Sequence, residues 1–594
     1  MLRETERPLG VLLLSLGLGL AFLSFYVFLL GSFGLIHRSA LALSMGVFLL
    51  AGIGEYRDLG RDLRRIKDEF ASSLSGNEAR FYWAVLVLAA LANFFYNYAP
   101  PTQGREMLYN LYLPKLLLAD HGILKVADEP NLALYYPVLF ERIYALAMGL
   151  TGELAAKLVH YAAGIASALF IYELVKRFLS PGPALLAAAL VYLMPLVSGV
   201  SGTANVELGT LFYSVAAAYG LLLWTEKGSG WKAAALAGLM AGLSWHAKIS
   251  GISMVPAGLV FIFAWNRYAG DPMGRAFAAA SVFAVFAFAG IAPWVVNNWV
   301  RFGDPLYPFP VGFLGMRGHE YVAMAIDLLS ARTAHHSFLE TVRLSKNLFL
   351  GDVLFGPGPL VFPFLLPGLL LDRQRNVKAV AFLAFLFFLF HYLTFDSDFH
   401  RFGDTRFYLP AYALLAVAAA VGIERLKERR ASLVRGVVFL GLIFPCLLLS
   451  FVFGATKLPV FLGLESKESY LRKKLPDYGL FEFANGALPV GSRVLVLGNG
   501  DPHWYYWEVP VFWASLDLIK KTDRAEILPE LERMGVTHIL FMGSVFVHDP
   551  ASGKFLDHET PELSLHWDMR QLEKRDLREI FKHGKSVFYE VVRP

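Results

Sequence analysis

The stretch FYWAVLVLAALANFFYNYAPPTQGREMLYNLYLPK (residues 81–115) runs from a strongly apolar segment directly into a loop that holds an Arg-Glu pair, a Tyr and a Lys. Its first half is long enough to cross a bilayer core as a helix, the conformation in which a lone segment bonds its own backbone groups. The charged residues that follow it then lie at a membrane surface. The stretch therefore predicts a spanning helix with polar chemistry gathered at one end.

The composition extends this prediction to most of the chain. Of the 594 residues, 56% are hydrophobic and 17% are charged, with a mean hydropathy of +0.49, whereas about 25% of a soluble domain is charged. We predict a mainly α-helical, polytopic membrane protein with about thirteen transmembrane helices. The predicted spans are 10–31, 39–54, 82–98, 154–175, 183–199, 204–224, 233–248, 250–266, 276–296, 358–371, 377–395, 407–424 and 434–454.

The predicted orientation follows from short loops that are rich in Lys and Arg, which resist translocation. These loops are 56–80, 176–177, 372–378 and 424–430. Because the spans alternate, all four lie on one side, which we expect to be the cytoplasm. The net charge of +5 is then a sign of topology and not of nucleic-acid binding. We predict a multi-pass protein of the cytoplasmic (inner) membrane with a cytoplasmic N-terminus.

We predict that the polar loops and the C-terminal part of the chain lie on the outer face of the membrane. Outer loops are predicted at 99–153, 297–357 and 396–406, and a separate domain after about residue 457. There SRVLVLG (492–498) and VTHILFMG (536–543) are typical of strands, and RAEILPELERMG (524–535) is typical of an amphipathic helix. The chain is therefore divided into an N-terminal anchor with its cytoplasmic loop (1–80), a transmembrane module (81–456) and an extracytoplasmic α/β domain (457–594).

Six ordered motifs resemble the C-type membrane glycosyltransferases, which use polyprenyl-phosphate sugars and include protein O-mannosyltransferases and aminoarabinose transferases. REMLY (105–109) is similar to the family's DExxY in the first outer loop, and NLYLPK (110–115) to HLxxPK. The others are ANVELGTLF (204–212), LAGLMAGLSWHAKISG (236–251), PWVVNNWVRFGDPLYPF (293–309) and RFYLP (406–410). The family's leading acid is replaced by Arg105, and its histidine by Asn110.

This resemblance implies a membrane glycosyltransferase that moves a sugar from a polyprenyl-phosphate donor to an acceptor in the envelope. It implies catalytic roles for Glu106 and Glu207. We predict substrate-binding roles for Arg105, Tyr109, Lys115, Lys248, Asn298 and Arg406, which lie in these motifs, and for His400 and Arg401 from their position in an outer loop. The expected partners are the lipid-linked sugar, an unidentified acceptor and membrane lipids. No cofactor is predicted, although a divalent metal at the outer-loop His and Asp residues stays open.

The residue types support the same chemistry without the resemblance. Glycosyl transfer from a phosphate-linked lipid needs a general base for the acceptor hydroxyl and cationic groups around the departing phosphate. Lys248 interrupts an apolar hairpin, where a charge is costly unless it reaches a partner or the interface. Two alternatives stay open: a lipid-binding or scaffold protein that has lost the chemistry with the change to Arg105, and a transporter that flips the lipid-linked sugar.

Overall fold

The computed structural model describes residues 7–123, 135–226, 230–309, 311, 361–396, 405–498, 504–513, 524–542, 545–549, 554–558, 576–584 and 586–592. They form two compact units. The helices are α1 (Pro8–Ser32), α2 (Arg38–Ala51), α3 (Tyr56–Ser73), α4 (Asn77–Tyr96), α5 (Tyr112–Ala119), α6 (Leu139–Thr151), α7 (Glu153–Lys176), α8 (Pro181–Tyr192), α9 (Pro195–Ser201), α10 (Glu207–Thr225), α11 (Gly230–Ala247), α12 (Met254–Ala269), α13 (Met273–Phe302), α14 (Phe362–Leu371), α15 (Arg375–His391), α16 (Leu409–Val438), α17 (Phe444–Ala455), α18 (Leu458–Phe461), α19 (Lys467–Lys474), α20 (Tyr478–Ala487) and α21 (Arg524–Arg533). Single turns of 3₁₀- or π-helix connect several of them.

The first unit holds the apolar helices, within residues 1–99, 116–124 and 135–464. Among the described residues, nine helices are long and apolar enough to cross a membrane, or ten if the bent pair of α8 and α9 is one span. Each of the thirteen predicted spans falls mainly on helix, so the prediction of a polytopic helical protein is confirmed. The difference in number arises from the short helix α14, from α11, which is not among the candidate spans, and from one long helical run, Thr405–Ala455, that covers two predicted spans.

Two interruptions of the helices have local causes. Helices α8 and α9 are bent by 62° at the residues before Pro195, which has no backbone N–H to continue the helix. Within α16, Arg430 has non-helical angles (φ −144°, ψ 57°), and this break separates the predicted spans 407–424 and 434–454.

Close packing of α11 on α13 fixes the position of Lys248, the residue that follows α11. A Cβ atom at Gly238 or Gly242 would lie 2.1 or 2.0 Å from the carbonyl oxygens of Phe283 and Ala287. These glycines therefore let α11 lie directly against the backbone of α13, as small residues do between membrane helices. Helix α11 ends at Ala247, and Lys248 has an extended backbone (φ −162°, ψ 143°). The chain thus turns at Lys248.

The second unit contains residues 100–115 and the described residues from 465 onward. Its strands are β1 (Val494–Gly498), β2 (Val511–Trp513), β3 (His538–Met542), β4 (Val545–Asp549), β5 (Lys554–His558), β6 (Leu577–His583) and β7 (Ser586–Val591). The main sheet has the order β2-β1-β3-β7-β6. β1 pairs in parallel with β2 and β3, and β7 is antiparallel to β3 and β6. The strand–helix–strand pattern predicted from the sequence is therefore observed in β1, α21 and β3. The predicted domain boundaries stay a prediction.

Candidate functional site

A buried ion pair lies where α10 begins and α11 ends. The Nζ atom of Lys248 donates to Oε1 of Glu207 at 2.6 Å, and their side chains are 9% and 3% exposed. The other oxygen of Glu207, Oε2, accepts the backbone N–H of Val206 at 3.1 Å. A charge inside an apolar helix bundle needs such a partner. Two residues that are 41 positions apart in the chain therefore form one polar centre.

A second cation approaches the same carboxylate. Arg406 lies shortly before α16, and its Nε atom is 3.8 Å from Oε1 of Glu207. The ring of Phe407 lies beneath both cations, 4.4 Å from Nζ of Lys248 and 5.5 Å from the guanidinium carbon of Arg406. We call Glu207, Lys248, Arg406 and Phe407 the Glu207 cluster. Three residues predicted for the site are thus brought together.

Helix α6 packs tightly on the start of α10, beside this cluster. The hydroxyl of Tyr144 donates to the carbonyl oxygen of Asn205. A Cβ atom at Gly209 would lie 2.0 Å from the ring of Phe140, so glycine is needed there for this approach. One face of α6 is thereby held against the residues that flank Glu207.

The same helix carries two buried charged groups that the sequence analysis did not single out. Glu141 is 2% exposed and Arg142 is 4% exposed. Arg142 lies over the ring of Phe28 at 4.5 Å, and its Nη1 atom is 3.5 Å from Nε2 of His246. Burial raises the pKa of Glu141 to about 8, against the positive charges of Arg142 and Lys248. The available signal was an adjacent Glu-Arg pair in the otherwise apolar sequence LFERIYALAMGL (139–150).

Asn298 orders the turn that follows α13. Its side-chain Nδ2 donates to the carbonyl oxygen of Tyr307 at 2.6 Å, and Tyr307 stacks on Phe302 with ring centroids 4.2 Å apart. Asn298 is buried. These contacts give it a structural role in the PLYPF turn, while its predicted contact with phosphate stays a prediction.

Glu106, the acidic residue of the predicted first outer loop, lies in the second unit. Glu106 is 1% exposed and opens a π-helical turn, Glu106–Asn110, a rare geometry that is common at functional sites. Met107 packs against Leu471 and Leu475. Burial raises the pKa of Tyr470, and the negative charge of Glu106 adds to that rise. Arg105 and Tyr109 are half-buried. The catalytic role of Glu106 and the binding roles of Arg105 and Tyr109 stay predictions.

Lys115 is a structural contact within the second unit. Its Nζ atom donates to the carbonyl oxygens of Tyr505 and Trp507, at 2.9 and 2.6 Å. Burial lowers its pKa, and the charge of Glu508 opposes that effect. The side chain is therefore not a solvated lysine of a surface helix, and a contact with lipid phosphate stays a prediction.

Two candidate residues, His400 and Arg401, lie outside the described residues. Among the residues that the structure does describe, no group of three or more His, Cys, Asp or Glu side chains is arranged to hold a metal ion. The prediction that no cofactor is needed stays a prediction.

Comparison with known proteins gives one family match and several structural matches. Residues 135–296 match the family model described as dolichyl-phosphate-mannose-protein mannosyltransferase. The structure is similar to ArnT from Cupriavidus metallidurans in the apo state (TM-score 0.53, 11% identity, 86% of this chain and 98% of that chain) and bound to undecaprenyl phosphate (TM-score 0.52, 11% identity, 86% and 97%). The archaeal oligosaccharyltransferase AglB from Archaeoglobus fulgidus gives a TM-score of 0.47 at 14% identity, with 85% and 79% covered. No curated protein sequence gives a significant match.

The family-model match and the similarity to ArnT confirm the predicted resemblance to the C-type membrane glycosyltransferases, and the similarity to ArnT confirms the predicted fold class. At 11% identity the likeness to ArnT shows the fold alone. The matched region, 135–296, contains Glu207 and Lys248, and it also contains the Glu141–Arg142 pair. The polar centre of the first unit thus lies mainly within the part of the chain that matches the family.

Proposed function

We propose that this protein transfers a sugar from a polyprenyl-phosphate donor to an acceptor in the cell envelope, on the outer face of the cytoplasmic membrane. The observation that carries the proposal is the Glu207 cluster, in which two cations share one buried carboxylate. The family match and the fold support the reaction class. The Lys and Arg bias of the short loops supports the side of the membrane.

The charges of the cluster suit a lipid-linked phosphate. Lys248 and Arg406 together carry two positive charges, and Glu207 supplies one negative charge. A phosphate oxygen that approaches these cations forms charge-assisted hydrogen bonds, which are roughly twice as strong as neutral ones. Water is largely excluded from Lys248, which is 8% exposed, so the attraction is less screened than at a surface.

The three charged members of the Glu207 cluster have different roles in this proposal. Lys248 and Arg406 stabilise the negative charge that develops on the phosphate as the bond to the sugar breaks. Both oxygens of Glu207 are engaged, with Lys248 and with the N–H of Val206. Glu207 therefore acts as a positioning residue that holds the cations. The proton of the acceptor hydroxyl goes to a general base, for which Glu106 is our candidate.

The reaction leaves free polyprenyl phosphate as the second product. The acceptor oxygen forms a bond to the anomeric carbon of the sugar, and the bond from that carbon to the phosphate oxygen breaks. The electron pair of the broken bond stays on the phosphate. The acceptor is a protein, a lipid or a glycan of the envelope.

Binding of undecaprenyl phosphate, the lipid part of the donor without its sugar, tests the role of the cations. Lys248→Gln and Arg406→Gln are each expected to weaken binding of undecaprenyl phosphate by about tenfold, because a charge-assisted hydrogen bond is lost. Arg435→Gln is the matched control, since Arg435 is an exposed cation that pairs with Glu78. Unchanged affinity in both cluster variants would mean that these residues only anchor the fold.

The transfer itself is tested in the envelope. A mass spectrum of the envelope glycans and glycoproteins, recorded with and without this chain, is expected to show one modification that depends on it. Identical spectra would contradict the proposal.

One observation favours a second function. Arg105 stands where the family's first acid is expected, and an arginine cannot accept a proton at neutral pH. If Glu106 does not replace that acid, the protein binds the lipid-linked sugar without transferring it and serves as a scaffold subunit. In that case donor binding persists while no donor and acceptor combination gives a product.

A further inference from the structure

Glu141 is a buried acid beside the Glu207 cluster, and the described contacts leave its burial unexplained. It is 2% exposed, and its Oε2 atom has no hydrogen-bond partner among the described residues. A buried polar oxygen without a partner destabilises the fold, because it has lost its hydrogen bonds to water and gained none in return. Such a group at a candidate site indicates that something else bonds to it.

The position of Glu141 relates it to the cluster. Tyr144, three residues further along α6 and on the same face of the helix, bonds to the carbonyl oxygen of Asn205, two residues before Glu207. On the other side, Arg142 reaches His246, two residues before Lys248. Glu141 interacts electrostatically with both Glu207 and Lys248. Its carboxyl group therefore lies in the field of the proposed phosphate site.

We propose that Glu141 is a phosphate-binding residue of the Glu207 cluster, and that its carboxylic acid group donates a hydrogen bond from Oε2 to an oxygen of the lipid-linked phosphate. This inference rests on the proposed function, because it needs a lipid phosphate at Lys248 and Arg406. An ionised carboxylate would repel the phosphate, whereas a protonated one supplies a donor. Burial raises the pKa of Glu141 to about 8, so the acid carries its proton at neutral pH.

The proposal predicts that donor binding weakens in alkaline solution. Glu141 interacts electrostatically with Arg142, Glu207 and Lys248. The charged or titratable groups that act on these three residues are His160 on α7, His246 on α11, Arg301 on α13 and Arg406 before α16. Histidine ordinarily titrates near pH 6.5 and lysine near 10.4, and burial lowers the pKa of Arg142 to about 10, just above the pH range of the test. A phosphate monoester completes its second ionisation near pH 6. Between pH 7 and 9.5, Glu141 is therefore the group of this set that is expected to change its charge.

The test is equilibrium binding of undecaprenyl phosphate to the full-length protein in nanodiscs, at pH 7 and pH 9.5. We expect the affinity of the unsubstituted protein to fall by at least about tenfold, as a charge-assisted hydrogen bond is replaced by repulsion. Glu141→Gln keeps a donor of the same shape and is expected to bind within about threefold of the unsubstituted protein at pH 7, with little change at pH 9.5. Glu141→Met is expected to bind about tenfold more weakly at pH 7, because it has no donor.

Glu173→Gln is the matched control. Glu173 is also fully buried, and neither of its oxygens has a hydrogen-bond partner among the described residues. It differs from Glu141 in its position, because it lies beside Arg7, near the C-terminal end of α7. This variant should keep the pH profile of the unsubstituted protein. Gel filtration and thermal unfolding check that all the variants fold.

The possible outcomes test the role of Glu141 and the proposed function separately. If the unsubstituted protein binds equally at both pH values, or if Glu141→Gln shows the same alkaline loss, Glu141 does not act through its proton and the inference fails. Wild-type affinity in Glu141→Met would also overturn it. If the unsubstituted protein does not bind undecaprenyl phosphate at any pH, the proposed function fails and the inference fails with it. The pH profile of the unsubstituted protein gives a result even if no variant folds.

Discussion

Removing the ammonium group of Lys248 tests two contributions of the Glu207 cluster, one to the stability of the fold and one to binding of the lipid phosphate. The change Lys248→Met leaves the Glu207 carboxylate buried without its nearest cation, which donates at 2.6 Å. Breaking a buried pair in this way costs about 3–5 kcal/mol. Because Arg406 remains at 3.8 Å, we expect a loss of about 3 kcal/mol in the free energy of unfolding.

A double variant tests the origin of this loss. In Lys248→Met/Glu207→Gln the buried negative charge is removed together with its partner, so the cost should be smaller than the sum of the two single variants by about 2 kcal/mol. The assay is reversible unfolding in mixed micelles. The exposed pair of Arg435 and Glu78, with side chains 61% and 39% exposed, is the control and should show a coupling below about 1 kcal/mol.

The affinity of the double variant for undecaprenyl phosphate shows whether the ammonium group also binds the lipid phosphate. The double variant regains stability but still lacks the ammonium group, so its affinity for undecaprenyl phosphate should stay about tenfold below that of the unsubstituted protein. Two results would refute this reasoning: additive effects of Lys248→Met and Glu207→Gln on stability, or full donor affinity in the double variant.

Three other predictions concern the topology, the base and the helix packing. A reporter that is active only outside the cytoplasm should work when fused after residue 594 and fail when inserted near residue 375; the reversed pattern would contradict the orientation. Glu106→Gln should abolish transfer while donor binding persists, because the amide cannot accept a proton; transfer at the wild-type rate would exclude Glu106 as the base. Gly209→Ala should lower stability by about 1–3 kcal/mol, since its Cβ would lie 2.0 Å from the ring of Phe140, whereas Gly19→Ala meets no atom within 4 Å and is the control.

The sequence predicted the membrane helices well, because hydropathy is a local property. Spans such as 10–31 and 276–296 coincide with α1 and α13. The breaks within the helices were harder to predict from the sequence. Pro195 predicts the break between α8 and α9. No proline stands near Arg430, so the sequence does not predict its non-helical angles.

Three residues of the Glu207 cluster, Glu207, Lys248 and Arg406, were candidates from the sequence, but the sequence did not predict their geometry, and their roles stay predictions. The cost of a charge in an apolar hairpin indicated that Lys248 needs a partner, and the resemblance supplied Glu207, yet pairing across 41 residues is a tertiary property. Lys115 shows the reverse case. Its motif resembled a substrate-binding element, while the fold uses its ammonium group to hold two backbone carbonyls.

Glu141 was missed because the sequence analysis placed it in a loop, 99–153. The structure puts it on α6, where the neighbours Tyr144 and Phe140 pack onto α10. An acidic residue inside an apolar helical pattern is the signal that could have identified it.

The release of polyprenyl phosphate tests the central claim most directly. The purified protein is incubated with envelope membranes and a panel of polyprenyl-phosphate sugars, and the free polyprenyl phosphate is measured by mass spectrometry. We predict release from at least one donor by the unsubstituted protein, together with transfer of its sugar to a membrane component, and no release by Glu106→Gln. If the unsubstituted protein binds the donors and releases no polyprenyl phosphate from any of them, it is not a glycosyltransferase.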